Sequence, residues 1–381
     1  MSEEKSKAKV FEVVTDEFSR AVKWASKLTQ NKDNSLIAVK IENGTMIMSA
    51  YNGINSSKSK SDVTQKFDGD LEFSVNGTML SNAIKSIKDP ALKFSLDGRT
   101  LTIRSSKAKF TLPITVPRNK LVLPPMPPAV GKVEAAEFRT LLNHAIAMTS
   151  DDASTPVLMT VHIEIDPQNS MLTMVATDRY KLVIRNLPYT PANDSTEKDK
   201  FSVDVEARSF KTLMADLNDE DQMTLYASSS NDNRQFGIAT STQIGMVGLK
   251  DVKAVNFAQF LSMHNSHTVV LKRSDLTQAI SITKPLIEGS VKGADFVFDS
   301  TTLTLITPMT DIDVDLVSSD MTEKVELHMN LDFLGPVLSA GRSEYVGFNI
   351  QNATKPVIVQ EMVDKDTINK NFFSLVMPVR K

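Results

Sequence analysis

Three segments of the chain share one order of apolar and polar positions. They begin at Phe73, Phe201 and Leu327, with spacings of 128 and 126 residues. In each segment a short apolar alternation, typical of a strand, leads through one polar residue into an apolar stripe with helical spacing. The polar residues are Asn76, Asp204 and Asn330. The pattern therefore predicts a strand, an N-cap and a helix, three times.

A second helical pattern repeats earlier in each third of the chain. Its copies start at Glu17-Phe18, Glu137-Phe138 and Asp275-Leu276. A period near 125 residues is far longer than the roughly 20 to 50 residues of a solenoid repeat. The spacing therefore indicates a duplicated domain with two amphipathic helices in each copy.

Between the helices, apolar residues alternate with polar ones at the period of a β-strand. Asp97-Gly98 interrupts one such run and is typical of a hairpin turn. The predicted fold class is α+β, with three tandem domains, each with two helices packed on antiparallel sheets.

Two segments are predicted to link these domains. Four prolines fall between Pro117 and Gly131, and prolines at that density continue neither a helix nor a sheet ladder. The second linker, Leu249 to His267, carries an apolar patch of Phe257, Phe260 and Leu261 that must be buried against something. The predicted domains are residues 1–127, 128–254 and 255–381.

The composition excludes some chemistries and leaves others open. The 381 residues include no cysteine, so disulfides, thiolate catalysis and cysteine-ligated metal sites are excluded. A net charge of -3 argues against a general nucleic-acid coat, although a basic face balanced by acidic surfaces remains open. No apolar run reaches about 18 residues, and Met1 to Lys9 is charged, so a cytoplasmic location is expected.

Two clusters could hold a metal, but a structural interpretation is favoured for each. Asp311, Asp313 and Asp315 share one face of a predicted strand, which suits a solvated sheet face as well as a magnesium site. His264 and His267 have no third ligand nearby. The chain has no phosphate-binding glycine loop, zinc-protease motif or nucleophile elbow. The sequence therefore predicts a protein that is not an enzyme and needs no cofactor or metal.

The first predicted helix has a basic side opposite its apolar side. With Phe18 as origin, Val22, Ala25 and Leu28 fall on one face, and the basic residues fall on the other. Taken alone, such a face is usually only solvated. The basic residues singled out on this helix and on the later ones are Arg20, Lys23, Lys27, Lys85, Lys88, Arg139, Arg208 and Lys211. The helix predicted from Leu331 to Ala340 has no basic residue.

Two motifs resemble those of the bacterial DNA polymerase III beta subunit family, the beta sliding clamps. Val175 to Leu182 contains Ala-Thr-Asp-Arg-Tyr-Lys-Leu and is similar to the family's alanine-threonine-aspartate-glycine-histidine-arginine-leucine turn. Leu375 to Lys381 is similar to the family's terminal methionine-proline-methionine-arginine-leucine. In that family both motifs border one peptide-binding pocket, and the resemblance covers essentially the whole chain.

The resemblance implies a function and a set of site residues. It implies a head-to-tail homodimeric ring that encircles double-stranded DNA without reading sequence, and it makes the basic residues named above candidate DNA-facing residues. Such a ring tethers the polymerase as a processivity factor, and polymerase, clamp loader and repair proteins bind it through short peptides. The implied pocket residues are Leu158, Thr177, Arg179, Tyr180, Lys181, Leu182, Val255, Gln259, Phe260, Pro356, Val357, Leu375, Met377, Pro378, Val379 and Arg380. The implied dimer contacts are Phe110, Leu286 and Ile287.

The chain departs from the family pattern at the pocket rim. Arg179 stands for the family's glycine, Tyr180 for its histidine, and Gln259 for an arginine. These changes indicate a divergent lineage, with a phage origin left open, and partner peptides of a different type. Two alternatives stay open. One is a clamp-like interaction module that binds replication proteins without encircling DNA. A more distant one is metal-dependent phosphoryl chemistry at Asp311 and Asp313.

Overall fold

The computed structural model describes residues 9–27, 36–65, 69–115, 121–218, 220–230, 234–253, 256–263, 267–289 and 292–379. The helices are α1 (Thr15–Lys27), α2 (Gly77–Ile84), α3 (Ala135–Ala147), α4 (Ala207–Met214), α5 (Ala258–Leu261), α6 (Arg273–Thr283) and α7 (Leu331–Ala340). Short 3-10 helices span Pro156–Met159 and Lys284–Leu286. Within these ranges, no helix is both long and apolar enough to cross a membrane.

The strands, like the helices, are numbered along the chain. The first twelve are β1 (Lys9–Val14), β2 (Leu36–Glu42), β3 (Thr45–Tyr51), β4 (Ser56–Gln65), β5 (Leu71–Asn76), β6 (Ala91–Asp97), β7 (Thr100–Arg104), β8 (Lys109–Thr115), β9 (Ala129–Glu134), β10 (Thr160–Asp166), β11 (Met171–Thr177) and β12 (Lys181–Pro188). The others are β13 (Thr190–Pro191), β14 (Phe201–Glu206), β15 (Gln222–Tyr226), β16 (Gln235–Ala239), β17 (Gln243–Gly248), β18 (His267–Lys272), β19 (Gly293–Phe298), β20 (Thr302–Thr307), β21 (Thr310–Ser319), β22 (Val325–Asn330), β23 (Tyr345–Ile350), β24 (Val357–Met362) and β25 (Phe372–Val376).

The chain divides into two compact units. One comprises Met1–Ala135, Thr190–Lys198 and Arg208–Leu249, and the other comprises Ala136–Tyr189, Asp199–Ala207 and Lys250–Lys381. Each unit holds one antiparallel sheet, and each sheet combines strands from two of the predicted domains. The units therefore follow the sheets, and the domain boundaries at 127/128 and 254/255 stay a prediction.

The sheet of the first unit has thirteen strands in the order β1-β6-β7-β8-β5-β2-β3-β4-β17-β16-β15-β9-β13. Its halves meet where β4 pairs with β17, with Ser56 opposite Met246 and Ser59 opposite Gln243. Helix α1 packs its Phe18, Val22 and Ala25 into the core beneath β1 to β8. The predicted apolar side of this helix is confirmed at those positions, and Leu28 lies outside the described residues.

The sheet of the second unit has twelve strands in the order β14-β10-β11-β12-β25-β24-β23-β18-β21-β20-β19-β22. Here β25 lies between β12 and β24, so that a late strand of the chain completes the middle of the sheet. The predicted α+β class and antiparallel sheets are confirmed. The Asp97-Gly98 hairpin is also confirmed, because β6 pairs with β7 and Gly98 adopts a φ of +57°.

The predicted N-caps are right in two of the three repeats. The Asn76 side chain accepts a hydrogen bond from the Met79 amide at 2.9 Å, and that of Asn330 accepts one from the Asp332 amide at 2.8 Å. Asp204 was expected to cap α4, and this is wrong, because β14 continues to Glu206. The carboxylate of Asp204 instead lies 3.0 Å from Nδ1 of His162 on the neighbouring strand.

A buried ion pair stabilises the second unit. Arg185 Nη1 lies 3.3 Å from Glu361 Oε2, and both side chains are more than nine-tenths buried. Glu361 also accepts hydrogen bonds from the amides of Arg342 and Ser343 and from the side chain of Asn369. Burial alone would raise the pKa of Glu361, but these donors and the charge of Arg185 lower it below its ordinary value.

Candidate functional site

An apolar cluster lies where β11, β12 and β25 run side by side in the second unit. Val175, Leu182, Ile184 and Leu375 are buried in it. The strand register explains the grouping, because Leu182 stands opposite Leu375 and Val175 stands opposite Ile184. The structure therefore brings together Leu182 and Leu375, which are predicted pocket residues separated by just over half of the chain.

The predicted second linker covers part of this cluster. Phe257, the N-cap of the short helix α5, and Phe260, within that helix, pack against the cluster. Both side chains are partly buried. The expectation that the apolar patch of the linker is buried is confirmed for these two residues, whereas Leu261 remains 54% exposed. Gln259 lies exposed on the same turn. Val255 lies outside the described residues.

The turn between β11 and β12 is held by its own polar side chains. The Asp178 carboxylate accepts hydrogen bonds from the Tyr180 and Lys181 amides, each at 2.9 Å. The Thr177 hydroxyl accepts one from the Arg179 amide at 3.1 Å. Arg179 has a φ of +83°, in the left-handed region that favours glycine. Arg179 therefore occupies a strained backbone position that glycine would adopt without strain.

An aromatic pair flanks this turn. The ring of Tyr180 stacks on Phe333 of α7 with centroids 4.9 Å apart and planes 12° from parallel, yet Tyr180 is 51% exposed. The Lys181 ammonium lies 5.8 Å from the centre of the same Phe333 ring and pairs with the Asp178 carboxylate. We call Tyr180 and Phe333 the aromatic shelf. Sequence reasoning missed Phe333, because no motif marks it and it lies 153 residues beyond its partner in the chain.

The segment after β25 is attached to the same turn. The Met377 amide donates to the Tyr180 carbonyl at 2.7 Å, and the Val379 amide donates to the His328 carbonyl at 2.8 Å. Met377, Pro378 and Val379 are partly exposed, as is Pro356, and Arg380 lies outside the described residues. Val357 is buried opposite Val376 in the sheet.

One further predicted pocket residue lies in a 3-10 helix whose N-cap residue is hydrogen-bonded to the turn between β11 and β12. Leu158 is 6% exposed in the helix Pro156–Met159. Thr155, which precedes this helix, accepts a hydrogen bond from the Arg179 guanidinium at 3.0 Å. Arg179 therefore ties the strained turn to the segment that carries Leu158.

The candidate metal clusters do not assemble within the part of the chain that the structure describes. No group of three or more His, Cys, Asp or Glu side chains is placed to share an ion there. Asp311, Asp313 and Asp315 lie exposed on one face of β21, and Asp313 accepts a hydrogen bond from the Thr304 hydroxyl at 2.7 Å. His267 lies 3.7 Å from Asp320, and His264 is outside the described residues.

Most of the candidate DNA-facing residues are exposed. These are Arg20 and Lys23 on α1, Lys85 and Lys88 after α2, and Arg208 and Lys211 on α4, all in the first unit. Lys27 on α1 and Arg139 on α3 are partly buried. Lys23 and Lys27 both form ion pairs with Asp216, which lies just after α4. Sequence reasoning missed Asp216, because nothing near it in the chain marks it as a partner of α1.

Phe110 lies on a strand with an open edge, and the other two candidate dimer contacts follow α6, which packs against a second such strand. Within the described residues, β8 pairs with β7 from Lys109 to Pro113 and with β5 only at Ile114 and Thr115. In the other unit, β21 pairs with β20 from Thr310 to Asp315 and with β18 only further on. Phe110 on β8 is partly buried against the core. Beyond α6, Leu286 is 45% exposed and Ile287 is partly exposed.

Comparison with known proteins identifies the fold class. No family model matches the chain. The chain is 23% identical over 387 residues to the beta sliding clamp of Streptomyces coelicolor, which covers 97% of this chain and 98% of that protein. It is 24% identical over 189 residues to the beta sliding clamp of Micrococcus luteus, which covers 49% of this chain and 60% of that protein.

A solved structure of the Helicobacter pylori beta clamp bound to a DNA ligase peptide superposes with a TM-score of 0.82 at 15% identity. The superposition covers 98% of this chain and 100% of the clamp. The fold is therefore that of the DNA sliding clamps. More particularly, the chain is similar, at low identity, to bacterial beta sliding clamps, which include a solved DNA polymerase III subunit beta from Pseudomonas aeruginosa. The resemblance inferred from the two sequence motifs is confirmed.

Proposed function

We propose that this chain is a DNA sliding clamp that encircles duplex DNA and tethers the replicative polymerase and other replication and repair proteins. The observation that carries the proposal is the apolar cluster around Leu182 and Leu375, bordered by α5 and by the segment that follows β25. It is assembled from the segments that the sequence motifs mark. The Helicobacter pylori clamp of the same fold binds a ligase peptide.

We propose that two copies close the ring head to tail. Inside each unit, one strand from each of two repeats completes a sheet, at β4–β17 and at β12–β25. The repeat order makes β21 the counterpart of β4 and β12, and β8 the counterpart of β17 and β25. Pairing β8 of one copy with β21 of the other would cover both open edges, which otherwise attract non-specific partners.

Charge favours the same pairing. Lys109 is exposed on the outward face of β8, and Asp311 and Asp313 are exposed on the outward face of β21. On the inward face, Phe110 of one copy would meet the apolar side of β21, which carries Ile312, and the Leu286 and Ile287 region. Antiparallel pairing therefore matches apolar with apolar and basic with acidic residues.

The exposed basic residues on the helices would face the duplex. Lysine and arginine contacts to phosphates are independent of sequence, so the ring can slide. Affinity for DNA itself can be low, because a closed ring is linked to DNA topologically. We infer that the protein acts in the cytoplasm on replicating DNA, performs no catalysis and needs no cofactor, in keeping with its relatives.

Partner proteins would bind through short extended segments whose apolar side chains enter the cluster. A few such anchors supply most of the affinity in interfaces of this kind. The rim carries Arg179, the aromatic shelf and Gln259, so we expect its preferred peptides to differ from those of other clamps. A second candidate function is an interaction module that binds replication proteins without encircling DNA, because α7 carries Asp332 and no basic residue.

Fluorescence anisotropy tests the pocket. A labelled glutamine-leucine-x-leucine-phenylalanine peptide is titrated with the protein, with a Leu182→Ala, Met377→Ala variant and with Val363→Ala as a matched control. Val363 is 64% exposed on a hairpin away from the cluster. We expect saturable binding that the double variant loses and the control keeps. Binding that survives in the double variant would refute the pocket.

Two further measurements complete the test. Removing the buried Leu182 side chain costs about 2–5 kcal/mol of folding free energy, so circular dichroism must show a folded variant. Met377→Ala alone, at a partly exposed position, keeps the test valid if the double variant does not fold.

Loader-dependent retention on circular DNA, lost after linearisation, separates the encircling clamp from the interaction module.

A further inference from the structure

An acidic residue neutralises part of the proposed DNA-facing surface. Lys23 and Lys27 lie on adjacent turns of α1, and both ammonium groups reach the carboxylate of Asp216, Lys23 at 2.5 Å. We propose that Asp216 is an internal counter-ion that competes with DNA phosphates for these two lysines and so weakens the grip of the clamp on the duplex. This inference rests on the proposed function.

The groove around the three residues suits a phosphodiester. It has a volume of about 740 Å³ and lies in the first unit between α1, the end of α2 and the end of α4. Besides the ion-paired groups, its lining includes Lys85, Asn82 and the hydroxyl groups of Ser19 and Ser81. The hydroxyls of Ser26 and Thr212 also line it, but they donate to the carbonyls of Val22 and Arg208. Ammonium and hydroxyl groups are the donors that contact DNA backbones without reading bases. Among the described residues that line this groove, Asp216 is the only one with an acidic side chain.

The burial of the three charges differs in a way that favours exchange of partners. Asp216 is 19% exposed and Lys27 is 24% exposed, whereas Lys23 is 66% exposed. The pair of Lys23 with Asp216 is therefore open to solvent and screened by salt, so an arriving phosphate can replace the carboxylate. One carboxylate also cannot cancel two ammonium groups, so the groove keeps positive charge. Asp216 therefore tunes the attraction without abolishing it.

The carboxylate is ionised under working conditions. Burial alone would raise the pKa of Asp216, but the hydrogen bonds and charges of Lys23 and Lys27 hold it below its usual range. Protonation near neutral pH therefore does not release the lysines. Only a competing anion or a substitution of Asp216 does so.

Salt dependence of duplex binding tests the inference. The anisotropy of a labelled linear duplex is measured against salt for the unaltered protein and for Asp216→Asn. Each phosphate contact contributes about 0.9 to the slope of log affinity against log salt. We expect the slope of Asp216→Asn to steepen by about 0.9 to 1.8, for one or two released lysines. Asp97→Asn makes the same charge change at an exposed hairpin residue and should leave the slope unchanged.

A second pair of variants shows whether Asp216→Asn changes the salt slope by releasing Lys23 and Lys27. In a Lys23→Gln, Lys27→Gln background, Asp216→Asn should have no effect on the slope, because the lysines that it releases are gone. An effect that persists there would mean that Asp216 repels phosphates directly, and this would overturn the counter-ion role. An equal change in Asp97→Asn would trace the effect to net charge and overturn it as well.

The remaining outcomes separate this inference from the proposed function. If the unaltered protein shows salt-dependent duplex binding and Asp216→Asn has the same slope, the counter-ion role is wrong and the clamp function stands. A lower melting temperature with an unchanged slope would give Asp216 a structural role only. No salt-dependent binding by any variant, together with no retention on circular DNA, would overturn both.

Discussion

Charged substitution just after α6 should separate the proposed ring into monomers. The perturbation is Leu286→Asp with Ile287→Asp. Leu286 is 45% exposed and Ile287 is partly exposed in the chain by itself, so neither substitution empties a core. We therefore expect the variant to fold and to lose only contacts with a second copy.

The expected magnitude follows from the exposed area and from the ring symmetry. Full burial of a leucine side chain contributes about 1.5–3 kcal/mol, so the exposed half of Leu286 contributes about 1 kcal/mol at an interface. Burying an uncompensated carboxylate there costs at least about 2 kcal/mol more. A two-copy ring contains the interface twice. The total of about 6 kcal/mol weakens dimerisation by a factor of about 10⁴.

Sedimentation velocity at micromolar concentration measures this effect. The mass obtained for the unaltered protein should be twice the chain mass of 42.0 kDa, and the mass obtained for the variant should equal the chain mass. Val363→Asp, at a residue 64% exposed on the hairpin after β24, is the matched control and should stay dimeric. A folded double variant with an unchanged dimer dissociation constant would refute the interface.

Three further substitutions test the chemistry of the fold. Glu361→Gln should lower the free energy of unfolding in urea by about 3–5 kcal/mol at pH 7, because it leaves Arg185 buried without a counter-charge. The pKa of Glu361 is lower in the folded than in the unfolded chain. Its contribution to the free energy of unfolding is therefore complete above about pH 4.3, the unfolded pKa, and is lost as the pH falls through the folded pKa. Loss of this contribution as the pH rises would contradict the depressed pKa. Asn330→Ala should lower the stability by about 1 kcal/mol through loss of the α7 N-cap, and an unchanged urea midpoint would argue against the cap. Arg179→Gly should raise the stability by about 0.5–1 kcal/mol by relieving a left-handed backbone, and destabilisation would show that the Arg179 contact with Thr155 matters more.

The sequence predicted local structure well, because local patterns determine it. Periodicity located two helices in each third of the chain, and both Asn76 and Asn330 act as N-caps. The same reasoning was wrong at Asp204, because strand pairing with β10 extended β14 past the expected helix start. A neighbouring strand supplied a partner, His162, that no local pattern reveals.

The candidate site was only partly predictable for the same reason. Motif resemblance located Leu182 and Leu375 in one cluster, although composition and periodicity alone do not join residues so far apart. The motifs did not reveal Phe333 under Tyr180 or Asp216 between two lysines, because Phe333 and Asp216 belong to neither motif and lie far along the chain from the residues that they contact. The strain at Arg179 likewise appears only when the backbone angle is known.

The position of β25 between β12 and β24 has a consequence for synthesis on the ribosome. Leu182 cannot meet Leu375 until the chain has grown from residue 182 to residue 375. At about 5–20 residues per second, this wait lasts on the order of 10–40 s. Throughout it, the edge of β12 that later pairs with β25 stays unpaired, which is a hazard for aggregation. The strand that later borders the apolar cluster therefore needs protection in the nascent chain, and chaperone demand should fall sharply once β25 has emerged.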